Sequence, residues 1–298
     1  MMAGLVICEP TVLYNILQQA TIYPCLSDPN YLLLLDARKT NEYNESHVVT
    51  SKKAPRTPDG EFLVPYDSEL ECKLHVVVLD NNTRTLKENS PAIACGRVMS
   101  AMGSKNPVKI LRGGYEDFSA LYPFLRTQKI IYMPRELDAL KTYPIEILPG
   151  QLYLGNYQQG CDAGIQKDLK IKAHVNVSNE DDTFFVDEST GDVFNLPAKD
   201  EDDANIFPYL PYVCQFISTK LEENKPVLVF SKLGISRCVS IVLAYLMNFY
   251  KWTLQDAYTH VGDCKHNIRP HRTFVKQLSE WEESLFGERP TDIENPNY

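Results

Sequence analysis

Residues 226–250 constrain the fold more than any other stretch of this chain. Pro226 opens the short apolar run Val227-Leu228-Val229-Phe230, the loop Ser231-Lys232-Leu233-Gly234-Ile235-Ser236-Arg237 follows, and residues 238–250 are apolar almost all round. A short run of large and β-branched apolar residues reads as a strand buried on both faces, and a helix apolar on every side reads as one surrounded by protein. A buried strand feeding a buried helix through a tight glycine-containing loop is the βα step of an α/β sheet. Such a loop is also an anion cradle, because successive backbone N–H groups and the positive end of the helix point at one spot. Arg237 adds a rigid two-pronged donor suited to phosphate oxygens. The simpler alternative is a plain strand-to-helix turn with a surface arginine.

The same domain opens with short strands at 145–148 and 152–154 and a longer one ending near 174–177. Helical spacing follows at 206–221, 253–264 and 272–286. Upstream, the apolar runs 32–35 and 76–79 read as buried parallel strands, while 11–20, 92–102 and 115–121 carry helical spacing; strands alternating with helices predict a second α/β domain. At 298 residues the chain is long enough for two cores. We therefore divide it into an N-terminal α/β domain over 9–127, a linker over 128–143 interrupted by Pro134, a C-terminal α/β domain over 144–287, and a flexible tail over 288–298. A net charge of −9 argues against a nonspecific nucleic-acid binder. Eight cysteines without a C-x-x-C pair predict free thiols in a reducing compartment, no disulfide and no metal. The longest apolar runs fall far short of the ~20 residues of a membrane span. The start has no secretory or ordinary transit signal, so the expected location is cytoplasmic, with organelle association through a cryptic signal or a partner left open.

The C-terminal loop resembles the H-C-x-x-G-x-x-R signature of cysteine-dependent phosphatases, and Gly234-Ile235-Ser236-Arg237 reads like its dual-specificity version. The likeness extends through Leu152-Tyr153-Leu154-Gly155-Asn156, Val175-Asn176-Val177-Ser178, Ala244-Tyr245-Leu246-Met247 and Gln277-Leu278 with Trp281-Glu282, covering residues 144–287 almost continuously. It implies a phosphate-binding loop of Ser231, Lys232, Leu233, Gly234, Ile235, Ser236 and Arg237. It also puts Asp200 at the family's spacing for the general acid that protonates the leaving group; the alternative is one solvated member of the acidic run 200–203.

Two departures bear on function. Ser231 stands where the family has its cysteine nucleophile, and Phe230 where it has the preceding histidine. A thiol starts near pKa 8.5 and an alcohol nearer water's ~15.7, a gap of about seven units or roughly 10 kcal/mol, whereas the most acidified cysteines have moved only about five units. Ser231 is therefore expected to stay a neutral hydroxyl, with no adjacent base to activate it. Cys238, where the family usually has Ser or Thr, has two readings: an acidified, oxidation-prone thiol at a helix start, or a small helix-packing residue.

In the first domain, Leu35-Asp36-Ala37-Arg38, Glu42-Tyr43, Ser46-His47-Val48 and Arg112-Gly113-Gly114-Tyr115 with Phe118 resemble the rhodanese-like domain that precedes the catalytic domain of MAP-kinase phosphatases. The loop after the central strand, Asp80-Asn81-Asn82-Thr83, lacks the cysteine that sulfur transfer needs, and Cys95 lies too far on. Lys52, Lys53 and Arg56 occupy the region where those relatives dock a kinase; the alternative is a solvated loop. Together the two domains resemble the MAP-kinase-phosphatase-like branch of the serine/threonine/tyrosine-interacting pseudophosphatases. The resemblance implies a catalytically inactive protein phosphatase, not an enzyme and without cofactors, acting as a regulator or adaptor. Its partners would be signalling proteins, among them phosphoproteins, MAP kinases or active phosphatases, with no direct nucleic-acid binding and no membrane insertion. The competing reading is a very slow protein phosphatase using Ser231, or water with Asp200.

Overall fold

The computed structural model describes residues 4–131, 133–178, 192–196 and 204–294. The chain divides into two compact units, Met1–Lys141 and Thr142–Tyr298, and each has an apolar core of its own.

The first unit runs β1 (Leu5–Cys8), α1 (Pro10–Gln18), β2 (Leu32–Asp36), α2 (Thr40–Glu45), β3 (His47–Val48) and β4 (Lys52–Lys53). It continues through β5 (His75–Leu79), α3 (Pro91–Ala101), β6 (Val108–Leu111), α4 (Gly114–Leu121), β7 (Arg126–Thr127) and α5 (Pro134–Asp138). The main sheet has the order β1-β6-β5-β2-β4, parallel throughout; β3 and β7 form a separate antiparallel pair. Parallel strands covered on both faces must be apolar on both, which is why β2 and β5 were visible as continuous runs. β1 is an edge strand that the sequence offers only as a short apolar patch, and β6 is interrupted by Lys109; neither was read as a strand. Pro10 and Pro91 start α1 and α3 with a preset φ, and the Ser90 hydroxyl accepts the Ile93 N–H at the start of α3. The stretch expected to be a linker, 128–143, contains α5, and Lys129 pairs with Glu136.

The second unit runs β8 (Ile145–Leu148), β9 (Leu152–Asn156), α6 (Tyr157–Gly160), α7 (Ala163–Asp168), β10 (Ala173–Asn176) and β11 (Val193–Asn195). α8 (Leu210–Glu222), β12 (Val227–Ser231), α9 (Arg237–Tyr250), α10 (Leu254–Cys264) and α11 (Arg272–Phe286) complete it. Its sheet has the order β11-β10-β12-β9-β8, parallel except for the β8–β9 hairpin, so β12 lies at its centre. Residues Arg237 to Met247 of α9 are all buried, as its all-round apolar sequence requires.

The tail departs from expectation. Residues 287–294 are not loose: Thr291 is 5% exposed and its hydroxyl donates to Glu282 Oε1 at 2.7 Å. Glu282 also accepts the Leu254 N–H (2.7 Å), while the Thr291 hydroxyl oxygen accepts that of Gln255 (3.1 Å). The first turn of α10 has N–H groups without partners in its own helix, and a buried carboxylate and a tail hydroxyl supply the acceptors. A polar, proline-containing sequence hides this single buried residue.

Candidate functional site

β12 ends at Ser231, and seven residues from Ser231 to Arg237 carry the chain to the first turn of α9. Gly234 closes the loop. Its φ of +72° is one that side-chain-bearing residues rarely adopt, and a Cβ there would lie 2.9 Å from the Gly155 carbonyl oxygen. The far side of the loop is pinned by the segment before α11: the Arg269 N–H donates to Ile235 O (2.7 Å) and the His271 N–H to Ser236 Oγ (3.1 Å). The Ser240 hydroxyl, one turn into α9, holds Ser236 O at 3.1 Å. Ser231, Gly234, Ser236 and Arg237 are buried, Ile235 half-buried, and Lys232 and Leu233 exposed. All seven residues singled out from the sequence thus form one continuous, braced loop at a helix N-terminus, an arrangement whose backbone N–H groups suit an anion.

The two replaced positions are both fully enclosed. Phe230 has no exposed surface; its ring fills the space against Gly160, where an added Cβ would sit 2.7 Å from it, with the Tyr157 ring 6.4 Å away. Position 230 therefore presents hydrocarbon where the signature has an imidazole. The Ser231 hydroxyl donates to Cys238 Sγ at 3.1 Å, and the thiol in turn lies 3.8 Å from Gly155 O. Among the described residues, no carboxylate or imidazole hydrogen-bonds Ser231. Burial pushes the Cys238 thiol up, outweighing the opposing contact with Ser231 and the charges of Lys265 and Arg237. The acidified-thiol reading of Cys238 is overturned: the sulfur sits inside the protein, away from the solvent that would stabilise a thiolate. Asp200 lies outside the described residues. Gly155 stood in the sequence only as part of a family-like segment, and Gly160 and Arg269 went unremarked; all three act through shape and main chain and so leave no chemical signature.

The first unit's counterparts are structural. Asp80 accepts from the Thr83 N–H, the Thr83 hydroxyl and the Ala92 N–H, and its carbonyl takes the Tyr115 N–H at 2.7 Å. Gly114 lies so close that a Cβ would be 2.4 Å from Asp80 O. The loop is folded onto α4, and Cys95, held at about 12 by burial, is enclosed in α3. Of the suggested docking residues, Lys52 pairs with Asp67, Lys53 lies half-buried beside Ala54 O, and Arg56 stacks on Phe62 while donating to Ala37 O.

Residues 152–284 match the family description "Dual specificity phosphatase, catalytic domain", and residues 23–121 match "Rhodanese-like domain". The chain joins a rhodanese-like domain to a dual-specificity-phosphatase-like domain. It is 33% identical over 142 residues to the dual specificity protein phosphatase Mpk3 of Drosophila melanogaster, covering 48% of this chain and 34% of that one. With human dual specificity protein phosphatase 16 the identity is 26% over 279 residues, covering 85% of this chain and 41% of that one, so the match runs through both domains. The chain thus spans well under half the length of these relatives. A solved human tyrosine phosphatase-like serine/threonine/tyrosine-interacting protein is 28% identical, with a TM-score of 0.44, covering 48% of this chain and 98% of that one. Among the described residues no helix is long and apolar enough to cross a membrane.

Proposed function

We propose that the dual-specificity-phosphatase-like domain binds phosphoryl groups without hydrolysing them, and that the chain is a pseudophosphatase acting as a regulator or adaptor in phosphorylation signalling. The observation that carries this reading is the bond from the Ser231 hydroxyl to the buried Cys238 thiol beside the apolar Phe230. Phosphoryl transfer to an enzyme residue needs a nucleophile that is ionised or loses its proton to a base as it attacks. A serine bonded to a protonated thiol has neither route, while the braced loop and Arg237 retain the donors that hold a phosphate. Partners are proposed to be phosphoproteins, MAP kinases or active phosphatases. The free cysteines suit the cytoplasm, where thiols stay reduced.

The deciding assay is hydrolysis of a small aryl phosphate by the parent beside a Phe230→His, Ser231→Cys double variant. A triple variant adding Cys238→Ser would return a hydroxyl under the loop. We expect silence from the parent and turnover from the triple variant. Parent turnover that disappears in Ser231→Ala would make the chain a slow phosphatase and defeat the proposal.

A further inference from the structure

Away from the loop, the segment after α11 joins a hidden hydroxyl to exposed carboxylates. Gly287 ends α11 with a φ of +80°, and residues 287–290 are exposed. Thr291, the next residue, is only 5% exposed and is tied down through both its hydroxyl and its N–H. The hydroxyl donates to Glu282 Oε1 (2.7 Å) and accepts the Gln255 N–H (3.1 Å), while the Thr291 N–H donates to Glu282 Oε2 (3.2 Å). Beyond it the pattern reverses. Asp292 and Glu294 are exposed, and the Glu294 side chain meets Arg272 at 3.3 Å on the surface.

Thr291-Asp292-Ile293-Glu294 thus places carboxylates one and three residues after a hydroxyl. A protein kinase whose substrate groove is basic selects acceptors of this kind, because charge complementarity decides which segment it holds. The docked hydroxyl is out of reach, so the kinase must capture the form in which residues 288–294 have lifted away. Lifting gives up the Thr291 hydrogen bonds and the half-buried packing of Ile293, and leaves the rest of the core closed. A phosphorylated Thr291 cannot return to the same place. The ester has no hydrogen to donate, and an added charge of about −1.5 to −2 would face the oxygens of Glu282, which has no exposed surface. The N-terminus of α10 favours an anion in principle, but Asp256 in its first turn and Glu282 on its Leu254 N–H already fill that role.

We infer that Thr291 is a modification site for an acidophilic protein kinase, and that its phosphorylation locks residues 288–294 away from α10. In the step, the Thr291 oxygen attacks the γ-phosphorus of ATP, the bond from that phosphorus to the ADP oxygen breaks, and the hydroxyl proton passes to the kinase's base. The inference is independent of phosphate binding at the Ser231 loop.

The test incubates the full chain with ATP, Mg²⁺ and a purified acidophilic serine/threonine kinase. Mass spectrometry follows phosphate at Thr291, and hydrogen exchange at the Gln255 and Thr291 amides reads the docking. The parent should take up phosphate at Thr291, and in the modified protein the two amides should exchange about tenfold faster or more. Glu282→Gln, which loosens the grip and leaves the acceptor sequence intact, should be modified about threefold to tenfold faster than the parent. Asp292→Asn combined with Glu294→Gln should be modified roughly tenfold more slowly, while both amides of the unmodified protein keep their protection. Absence of phosphate at Thr291 in both the parent and Glu282→Gln removes the site, and a rate indifferent to the two carboxylates removes the acidophilic kinase. Modified protein whose amides exchange as slowly as before, or more slowly, overturns the release.

Discussion

Ser231 would have to surrender its proton to attack phosphorus, and each neighbour works against this. Phe230 is hydrocarbon, Cys238 is kept protonated by burial, and the contact between Ser231 and Cys238 uses the very hydrogen that a base would remove. Anion binding makes no such demand, so it should depend on Arg237 instead. Arg237→Ala is expected to weaken binding of inorganic phosphate or phosphotyrosine at least tenfold by calorimetry, as befits loss of a charge-assisted pair; unchanged binding would exclude the cradle as the site. A second prediction concerns His174 in β10, which burial holds down to about 4 from an ordinary 6.5, against the opposing pull of Asp192. Its folded pKa is depressed, so the unfolded chain takes up the proton first. The stability it contributes is complete above pH 6.5 and lost as the pH falls through about 4, roughly 3 kcal/mol in all. Urea midpoints measured from pH 7 to 4 should decline less in His174→Gln; parallel declines would remove His174 as the cause. The replacement at 231 was legible because it exchanges one functional group for another at a recognisable place. Its partnership with Cys238 was not, since seven residues of loop had to be folded before the two side chains met. The same holds for Arg56: its charge shows in the sequence, but its stacking on Phe62 does not.

At the scale of elements, β12, its loop and α9 act as one unit whose shape depends on Gly234. Gly234→Ala would place a Cβ 2.9 Å from Gly155 O at a φ of +72°, and should cost about 1–3 kcal/mol and weaken anion binding together. Thermal melts and phosphate titration on the same variant check both, and unaltered values in each would mean that the loop adjusts freely. α10 supplies a different case, because its N-terminus is completed by Glu282 and Thr291. Thr291→Val is nearly isosteric but removes the hydroxyl, and should lower stability by roughly 1–3 kcal/mol in denaturant titration; a variant as stable as the parent would show that water replaces it. Long apolar periodicity made α9 and α11 readable from sequence, and Arg272–Phe286 was delimited to the residue. β1 and β6 escaped because four residues, one of them charged in β6, are too few for a pattern, and pairing with β5 rather than local preference makes β6 a strand. The tail was misread because composition reports the average of a segment, whereas Thr291 alone decides its docking.

Taken as a whole, the molecule contains two cores built on two separate sheets. Residues 142–298 expressed alone should therefore unfold cooperatively with a slope near that expected for their size, and retain whatever anion binding the full chain has; a broad, non-cooperative transition would refute independent folding. The contact between Ser231 and Cys238 also has a redox consequence. A single change, Ser231→Cys, would set a second sulfur beside Cys238, whose sulfur lies 3.1 Å from the serine oxygen that would be replaced. An added two-electron oxidant such as a small disulfide, itself reduced to two thiols, could then join the two sulfurs, whereas the wild-type hydroxyl–thiol pair cannot be joined this way. Positions 231 and 238 are thus coupled: what a thiol at 231 does depends on which side chain stands at 238.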